Sequence, residues 1–302
     1  MSEYTLKKNL PFNPVEDLNF PSEVQVQTMT RCNSRCLMCP YVNVYKKISH
    51  GKIDLGLYHK IVDECAHFKV KQFKPFLMNE PLLDQRLPSL ITYARKTLPN
   101  AIIGFSTNGQ LLEGKMAKGL LHSGVNEIWV NFNGSKKETY EKIMRGLSFE
   151  RVIKNLLLFK EQVVRNKLDI KIFISTVEIS LVIGEIQESI AFWKKHGIPV
   201  VTTPLNNRGG NLKSSRIKTL MKTRGHRICD RPFYKIYILY NGDVILCSSD
   251  WEREIIIGNV AESGIYEVWN GEKQKRVREA LLDKDFKKLP LCQKCDYIHL
   301  YQ

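Results

Sequence analysis

Arg31-Cys32-Asn33-Ser34-Arg35-Cys36-Leu37-Met38-Cys39-Pro40-Tyr41 is the stretch on which the reading of this chain turns. Its three cysteines are four and three residues apart, so one compact loop can point all three sulfurs inward. Thiolates are soft ligands that suit zinc or an iron–sulfur cluster. Three of them can hold three irons of a cubane and leave the fourth iron open to a small chelating molecule. The competing reading is a structural zinc knuckle, which needs a fourth ligand. The nearest candidate, His50, lies in a polar loop at no standard zinc spacing, which favours the cluster.

Upstream of the loop, Glu23–Met29 alternates apolar and polar residues, as a half-buried strand does. Downstream, strand patterns at Phe73–Met78, Ala101–Phe105, Glu127–Phe132, Asp169–Val177 and Pro199–Thr203 alternate with helical ones. The helical patterns are Leu57–Phe68, Leu87–Leu98, Leu111–His122, Lys136–Met144, Phe149–Val164 and Gly184–His196. Such alternation predicts an α/β fold, a parallel sheet with right-handed crossovers. In these sheets the site gathers at the C-terminal ends of the strands, where the cysteine loop begins.

Past residue 205 the pattern changes. Asn206-Asn207-Arg208-Gly209-Gly210 is a turn cluster, followed by a basic, loosely patterned stretch to about Arg227. Tyr234–Tyr240 and Val244–Ser248 flank Asn241-Gly242-Asp243, a hairpin signal. Gly264–Leu282 reads as one amphipathic helix. This part holds four more cysteines, Cys229, Cys247, Cys292 and Cys295, enough to close a metal site; zinc and iron–sulfur both suit a paired-thiolate knuckle.

The Cys-x3-Cys-x2-Cys spacing after a strand resembles the radical S-adenosylmethionine (SAM) superfamily, and the resemblance covers roughly residues 20–205. It implies a partial (β/α)6 barrel over 21–205 after an N-terminal extension at 1–20. Beside such a core, the four later cysteines resemble the short "twitch" form of the SPASM domain, an α+β unit with a β-hairpin over 206–302. The cofactors so implied are a [4Fe–4S] cluster on Cys32, Cys36 and Cys39 plus SAM, and a second, auxiliary [4Fe–4S] cluster on Cys229, Cys247, Cys292 and Cys295. In that family the reduced first cluster splits SAM to a 5′-deoxyadenosyl radical, which abstracts hydrogen from a substrate C–H.

The same resemblance suggests roles for single residues. Met38 sits within the cysteine motif. Glu80, in Met78-Asn79-Glu80-Pro81, stands where the family's Gly-Gly-Glu segment meets the SAM ammonium, although Met and Asn replace the glycines. Ser106 and Asn108, in Ser-Thr-Asn-Gly at the end of the third strand, suit ribose and carboxylate contacts, and Ser175 or Thr176, ending the fifth strand, is read likewise. Arg145 matches an arginine that pairs with the methionyl carboxylate, against a surface arginine at a helix end. Arg208 matches a substrate-facing arginine of carbohydrate dehydrogenases in the family, against a loop arginine at the barrel rim. Cys65 is left over; its helical, apolar setting reads as core, and a hydrogen-donor role belongs to an epimerase.

The expected reaction is dehydrogenation of a carbohydrate- or cyclitol-like alcohol, with the auxiliary cluster as electron acceptor. A peptide-modifying enzyme, a redox-neutral epimerase and a zinc-binding nucleic-acid module are the alternatives. The formal charge of +15 fits three settings: thiolates that become anionic on cluster binding, an acidic flavodoxin- or ferredoxin-type reductant, or an anionic or sugar-like small-molecule substrate. Nucleic acid is disfavoured because the basic residues are scattered and lack aromatic interleaving. There is no apolar run long enough for a membrane span and no apolar signal core, which predicts a cytoplasmic protein.

Overall fold

The computed structural model describes residues 19–212 and 229–296. The expected extension at 1–20 therefore falls almost wholly outside the described residues, as does most of the basic stretch after Leu212.

Six strands run parallel: β1 (Glu23–Val26), β2 (Gln72–Lys74), β3 (Ile102–Thr107), β4 (Glu127–Asn131), β5 (Lys171–Glu178) and β6 (Val200–Pro204). The connecting helices are α1 (Tyr41–Val44), α2 (Leu55–His67), α3 (Leu87–Thr97), α4 (Gly114–Leu121), α5 (Lys137–Ile143), α6 (Phe149–Arg165) and α7 (Ile186–Lys195). Local chemistry sets their ends. Asp54 starts α2 by accepting from Leu57 N at 3.1 Å, and Ser148 starts α6 by accepting from Arg151 N at 3.3 Å. Val152, Leu156, Phe159 and Val163 then form the buried stripe of α6 at helical spacing. Along the strands, Val24, Val26, Phe73, Ile103, Phe105, Ile128 and Val130 face the helices in one continuous core. β2 is shorter than the pattern Phe73–Met78 predicts because Pro75 has no N–H for the ladder.

The C-terminal half adds β7 (Lys235–Ile238), β8 (Asp243–Ile245) and β9 (Ile256–Asn259). The predicted hairpin forms between β7 and β8, with Gly242 at φ +89° in its turn. Unforeseen is where it docks: β7 pairs in parallel with β1, giving a nine-stranded sheet in the order β6-β5-β4-β3-β2-β1-β7-β8-β9. At that seam Glu23 on β1 meets Lys74 of β2 at 2.8 Å and Lys235 of β7 at 2.9 Å.

The single helix expected over Gly264–Leu282 is two, α8 (Ile265–Asn270) and α9 (Glu272–Leu282), because Gly271 is extended at φ −72°, ψ 160°. A Cβ there would stand 2.9 Å from the Glu267 carbonyl. Glu64 of α2 caps α8 by accepting from Ile265 N and Tyr266 N, each at 2.8 Å. The rings of Phe20, Phe68 and Tyr266 stack over the same joint at 4.3 and 5.2 Å. A last short helix, α10 (Pro290–Gln293), carries Cys292. Among the described residues no helix is long and apolar enough to cross a membrane.

Candidate active site

The cysteine loop leaves the C-terminal end of β1 and is held from two sides. Cys32 N donates to the Tyr41 hydroxyl at 2.9 Å, while Arg35 N and Leu37 N donate to the carbonyls of Arg145 and Ile143 at 2.8 and 2.9 Å. The Ser34 hydroxyl sits between two sulfurs, 3.2 Å from Cys32 Sγ and 3.4 Å from Cys36 Sγ. Burial pushes the Cys32 thiol up to about 11 and Cys36 up to about 12. Burial also raises Cys39, which the nearby Arg208 charge partly offsets. Thiols desolvated in this way stay protonated unless a metal group stabilises the thiolates. Among the described residues no three Cys, His, Asp or Glu side chains converge on a single ion. A four-iron cubane, with one thiolate at each protein-bound corner, does not ask for that convergence. The donor set fits a cluster.

Cys32, Cys36 and Cys39 open onto a cavity of about 360 Å³. Met38, Glu80, Ser106, Asn108 and Arg208 are all in its wall, so the structure gathers these sequence candidates at one place. Glu80 is buried, accepting from Thr107 Oγ1 at 2.5 Å, Leu82 N at 3.1 Å and Asn108 N at 2.8 Å. Burial nevertheless lifts its carboxyl to about 7, and these three bonds limit the rise. Asn108 Nδ2 donates to Asn33 Oδ1 at 2.7 Å, tying the end of β3 to the cysteine loop. Ser175 is not in the cavity wall; it pairs with Asn131 in the sheet, and its carbonyl accepts from Phe132 N at 3.0 Å. Val177, two residues on, does reach the wall. The Arg145 side chain is exposed and outside the wall, and its carbonyl braces the cysteine loop. Cys65 is fully buried in the core on α2, away from the cavity.

Arg208 sits at φ +53° in a turn braced against the last cysteine pair. Asn207 N donates to the Asp296 carboxylate at 2.8 and 2.9 Å, and Asn207 Nδ2 donates to the Lys294 carbonyl at 2.7 Å. Gly209 is required there, since a Cβ would lie 2.5 Å from Leu291 Cδ1 and its φ is +65°. Cys292 and Cys295 sit one tight turn apart, with Cys295 N donating to the Cys292 carbonyl at 3.1 Å. Cys292 lies within electrostatic reach of Cys229, Cys247 and Cys295. Burial pushes Cys229 up to about 12, against the pull of the Arg231 guanidinium. Burial raises Cys229, Cys247 and Cys292, and with Cys295 they form a second donor set that could hold a metal group, outside the cavity wall.

The sequence reading missed Ser34, Thr107, Asn133 and Trp251. Ser34 had a local signal, lying inside the cysteine motif. Trp251 had none, because it comes to the wall from the C-terminal half.

A nine-stranded, mostly parallel sheet whose first strand leads into three cysteines at a cavity, with a cysteine-rich appendage on its edge, defines a class. The chain belongs to the radical SAM superfamily, whose family model matches residues 26–191, and an iron–sulfur cluster-binding SPASM domain matches residues 229–296. It is an enzyme that uses SAM and a [4Fe–4S] cluster, with auxiliary iron–sulfur binding in the SPASM domain. Among its relatives is the S-adenosyl-L-methionine-dependent 2-deoxy-scyllo-inosamine dehydrogenase of Niallia circulans, 20% identical over 278 residues, covering 92% of this chain and 93% of that one. The fold resembles that of BtrN in complex with AdoMet and 2-DOIA, with a TM-score of 0.63 at 20% identity over 93% of this chain and 96% of that one. Streptococcus suis SuiB bound to its precursor peptide SuiA superposes with a TM-score of 0.68 at 16% identity, covering 86% of this chain and 67% of that one.

Proposed function

We propose that this enzyme dehydrogenates a hydroxyl-bearing, carbohydrate- or cyclitol-like small molecule. The observation that carries the reading is the chemistry of the cavity wall. Gln25, Asn79, Ser106, Asn131, Asn133 and Ser248 line it with neutral hydroxyls and carboxamides. Glu80 is engaged by the scaffold, and among the described wall residues Arg208 alone carries positive charge. These polar groups, set among Phe76, Leu77, Met144 and Val177, can match several hydroxyl groups by hydrogen bonding, and Arg208 adds one anchor for a hydroxyl, carboxylate or phosphate. The 2-deoxy-scyllo-inosamine dehydrogenase relative acts on a substrate of this kind.

In this reading Cys32, Cys36 and Cys39 hold the cluster that binds SAM, and Cys229, Cys247, Cys292 and Cys295 hold the auxiliary cluster. When bound, these groups supply a radical able to remove hydrogen from a C–H bond and a sink for the electron left on the substrate. The chain's own part is placement. Glu80 offers a carboxylate to the SAM ammonium, Ser106 and Asn108 offer hydrogen bonds to its polar groups, and Met38 covers its apolar part. Arg208 orients the substrate. Exposed Arg31, Arg35 and Arg145 border the cysteine loop and suit an acidic flavodoxin- or ferredoxin-type reductant. Seven cysteines read as thiolate ligands rather than as disulfides suit a reducing cytoplasm.

The test is an anaerobic assay with 2-deoxy-scyllo-inosamine and related amino-cyclitols deuterated at each carbinol carbon. Deuterium is expected in 5′-deoxyadenosine, together with a ketone product. Failure of every carbinol label to transfer would sink the dehydrogenase, and solvent hydrogen at that carbon in a redox-unchanged product would replace it with the epimerase. Arg208→Ala should lower turnover by about tenfold to a hundredfold, the worth of one charge-assisted hydrogen bond. SAM affinity should stay within a few-fold; equal losses in both would make Arg208 a structural residue.

A further inference from the structure

Trp251 is 8% exposed, and its indole N–H has no acceptor among the described residues. A buried donor left this way is uncommon in a folded protein and points to a partner that completes it. The residue lies in the cavity wall, and it packs with Tyr41 and Val44 into a small cluster against which Cys32 and Cys39 sit. Its placement is not loose. Asp250 is fully buried and accepts from Glu254 N at 2.9 Å and Ile255 N at 3.0 Å, and its own N–H donates to the Cys247 carbonyl at 3.0 Å. Asn211 Nδ2 donates to the Ser249 carbonyl at 3.0 Å, fixing the same turn to the Arg208 loop. A second wall residue repeats the pattern: Asn79 Oδ1 accepts from Leu77 N at 2.9 Å, while its buried Nδ2 has no acceptor among the described residues. Both donors are open to acceptors in the cavity. For Trp251 the groups packed beside it are Cys32 and Cys39, whose thiolates, with the sulfides of a cluster, are acceptors rich in negative charge.

We infer that Trp251 is a positioning residue for the three-cysteine cluster, donating its indole N–H to a sulfur of that cluster. The inference rests on the reading of Cys32, Cys36 and Cys39 as the ligands. A hydrogen bond to sulfur stabilises the extra negative charge of the reduced state, so it raises the reduction potential. Because Trp251 belongs to the C-terminal half, the turn after Cys247 then governs how readily the barrel's cluster takes an electron.

The test is an EPR-monitored redox titration of the anaerobically reconstituted full chain, following the signal that changes when SAM is added. Trp251→Phe keeps an aromatic ring and removes the N–H. It should lower the ratio of reduced to oxidised cluster at a fixed potential about tenfold, which is about 59 mV for a one-electron couple. Trp251→His, which restores a ring N–H, should recover at least half of that shift. No shift in either variant, or equal shifts in both, overturns the inference. Should Trp251→Phe fail to take up iron, wild-type protein labelled with ¹⁵N-indole tryptophan decides: a ¹⁵N coupling to the reduced cluster is expected, and none overturns it. Cys39→Ala separates the two readings. If that variant keeps the SAM-responsive signal, the ligand assignment has failed; if it loses the signal while Trp251→Phe leaves the potential unchanged, only the tryptophan inference has.

Discussion

Cys39→Ala is expected to abolish SAM cleavage and to reduce bound iron from roughly eight to roughly four atoms per chain, one cubane's worth. The effect is expected to be complete because, among the described residues, no fourth cysteine reaches the cavity wall. Cys32, Cys36 and Cys39 are the cysteines in the cavity wall, and Cys65 is sealed in the core on α2. A cubane left with two thiolates exposes two corners, and the chelation geometry for a sulfonium substrate is gone. Iron analysis, absorbance near about 400 nm and 5′-deoxyadenosine production under a strong reductant read the outcome together. Normal cleavage in the variant would contradict the assignment. Cys295→Ala should give the converse pattern, with similar iron loss but continued SAM cleavage that is uncoupled from substrate oxidation. That contrast follows from position: the first set of thiols opens on the cavity and the second stands outside its wall.

The gathering of Cys32, Cys36 and Cys39 at the cavity was legible because they fall within eight residues after a strand, where local geometry brings them together. The strand–helix rhythm was legible for the same reason, being written in periodicity within each element. Long-range partners were not. Glu23 and Lys235 are 212 positions apart, and nothing in the β7 pattern says that it will pair with β1. Arg145 and Arg208 illustrate the limit within the site. Both were candidates on motif grounds, yet only Arg208 reaches the wall, because Asn207 and Asp296 hold its turn against the Cys292–Cys295 knuckle. The split at Gly271 was readable in principle, since glycine inside a helical pattern is a weak point. The amphipathic pattern on either side of it hid the break.

The β1–β7 seam gives the second large prediction. Glu23→Gln should destabilise the protein by about 3–5 kcal/mol, the usual cost of removing one member of a buried charge pair. Glu23 is 4% exposed, and burial alone would raise its carboxyl; the charges of Lys235 and Lys74 override that and hold it down at about 2. Glutamine keeps the shape but leaves Lys74 of β2 and Lys235 of β7 facing each other across β1, with Lys235 itself largely desolvated and its ammonium disfavoured by that burial. The pH dependence has a definite sign. A carboxyl held below its unfolded value of about 4.5 contributes stability that is present above that pH and is lost as pH falls towards 2. Urea midpoints of wild type and variant should therefore be far apart at pH 7 and should converge as the solution is taken below pH 4.5. A gap that stayed constant across that range would mean that packing, not charge, holds β7 to the barrel. A gap that closes would mean that the Glu23 carboxylate, added to the β1–β7 ladder, is a main electrostatic fastening between the cysteine-rich part and the SAM-binding part. Loosening that fastening should then disturb the cavity wall that Ser248 and Trp251 complete from the C-terminal side.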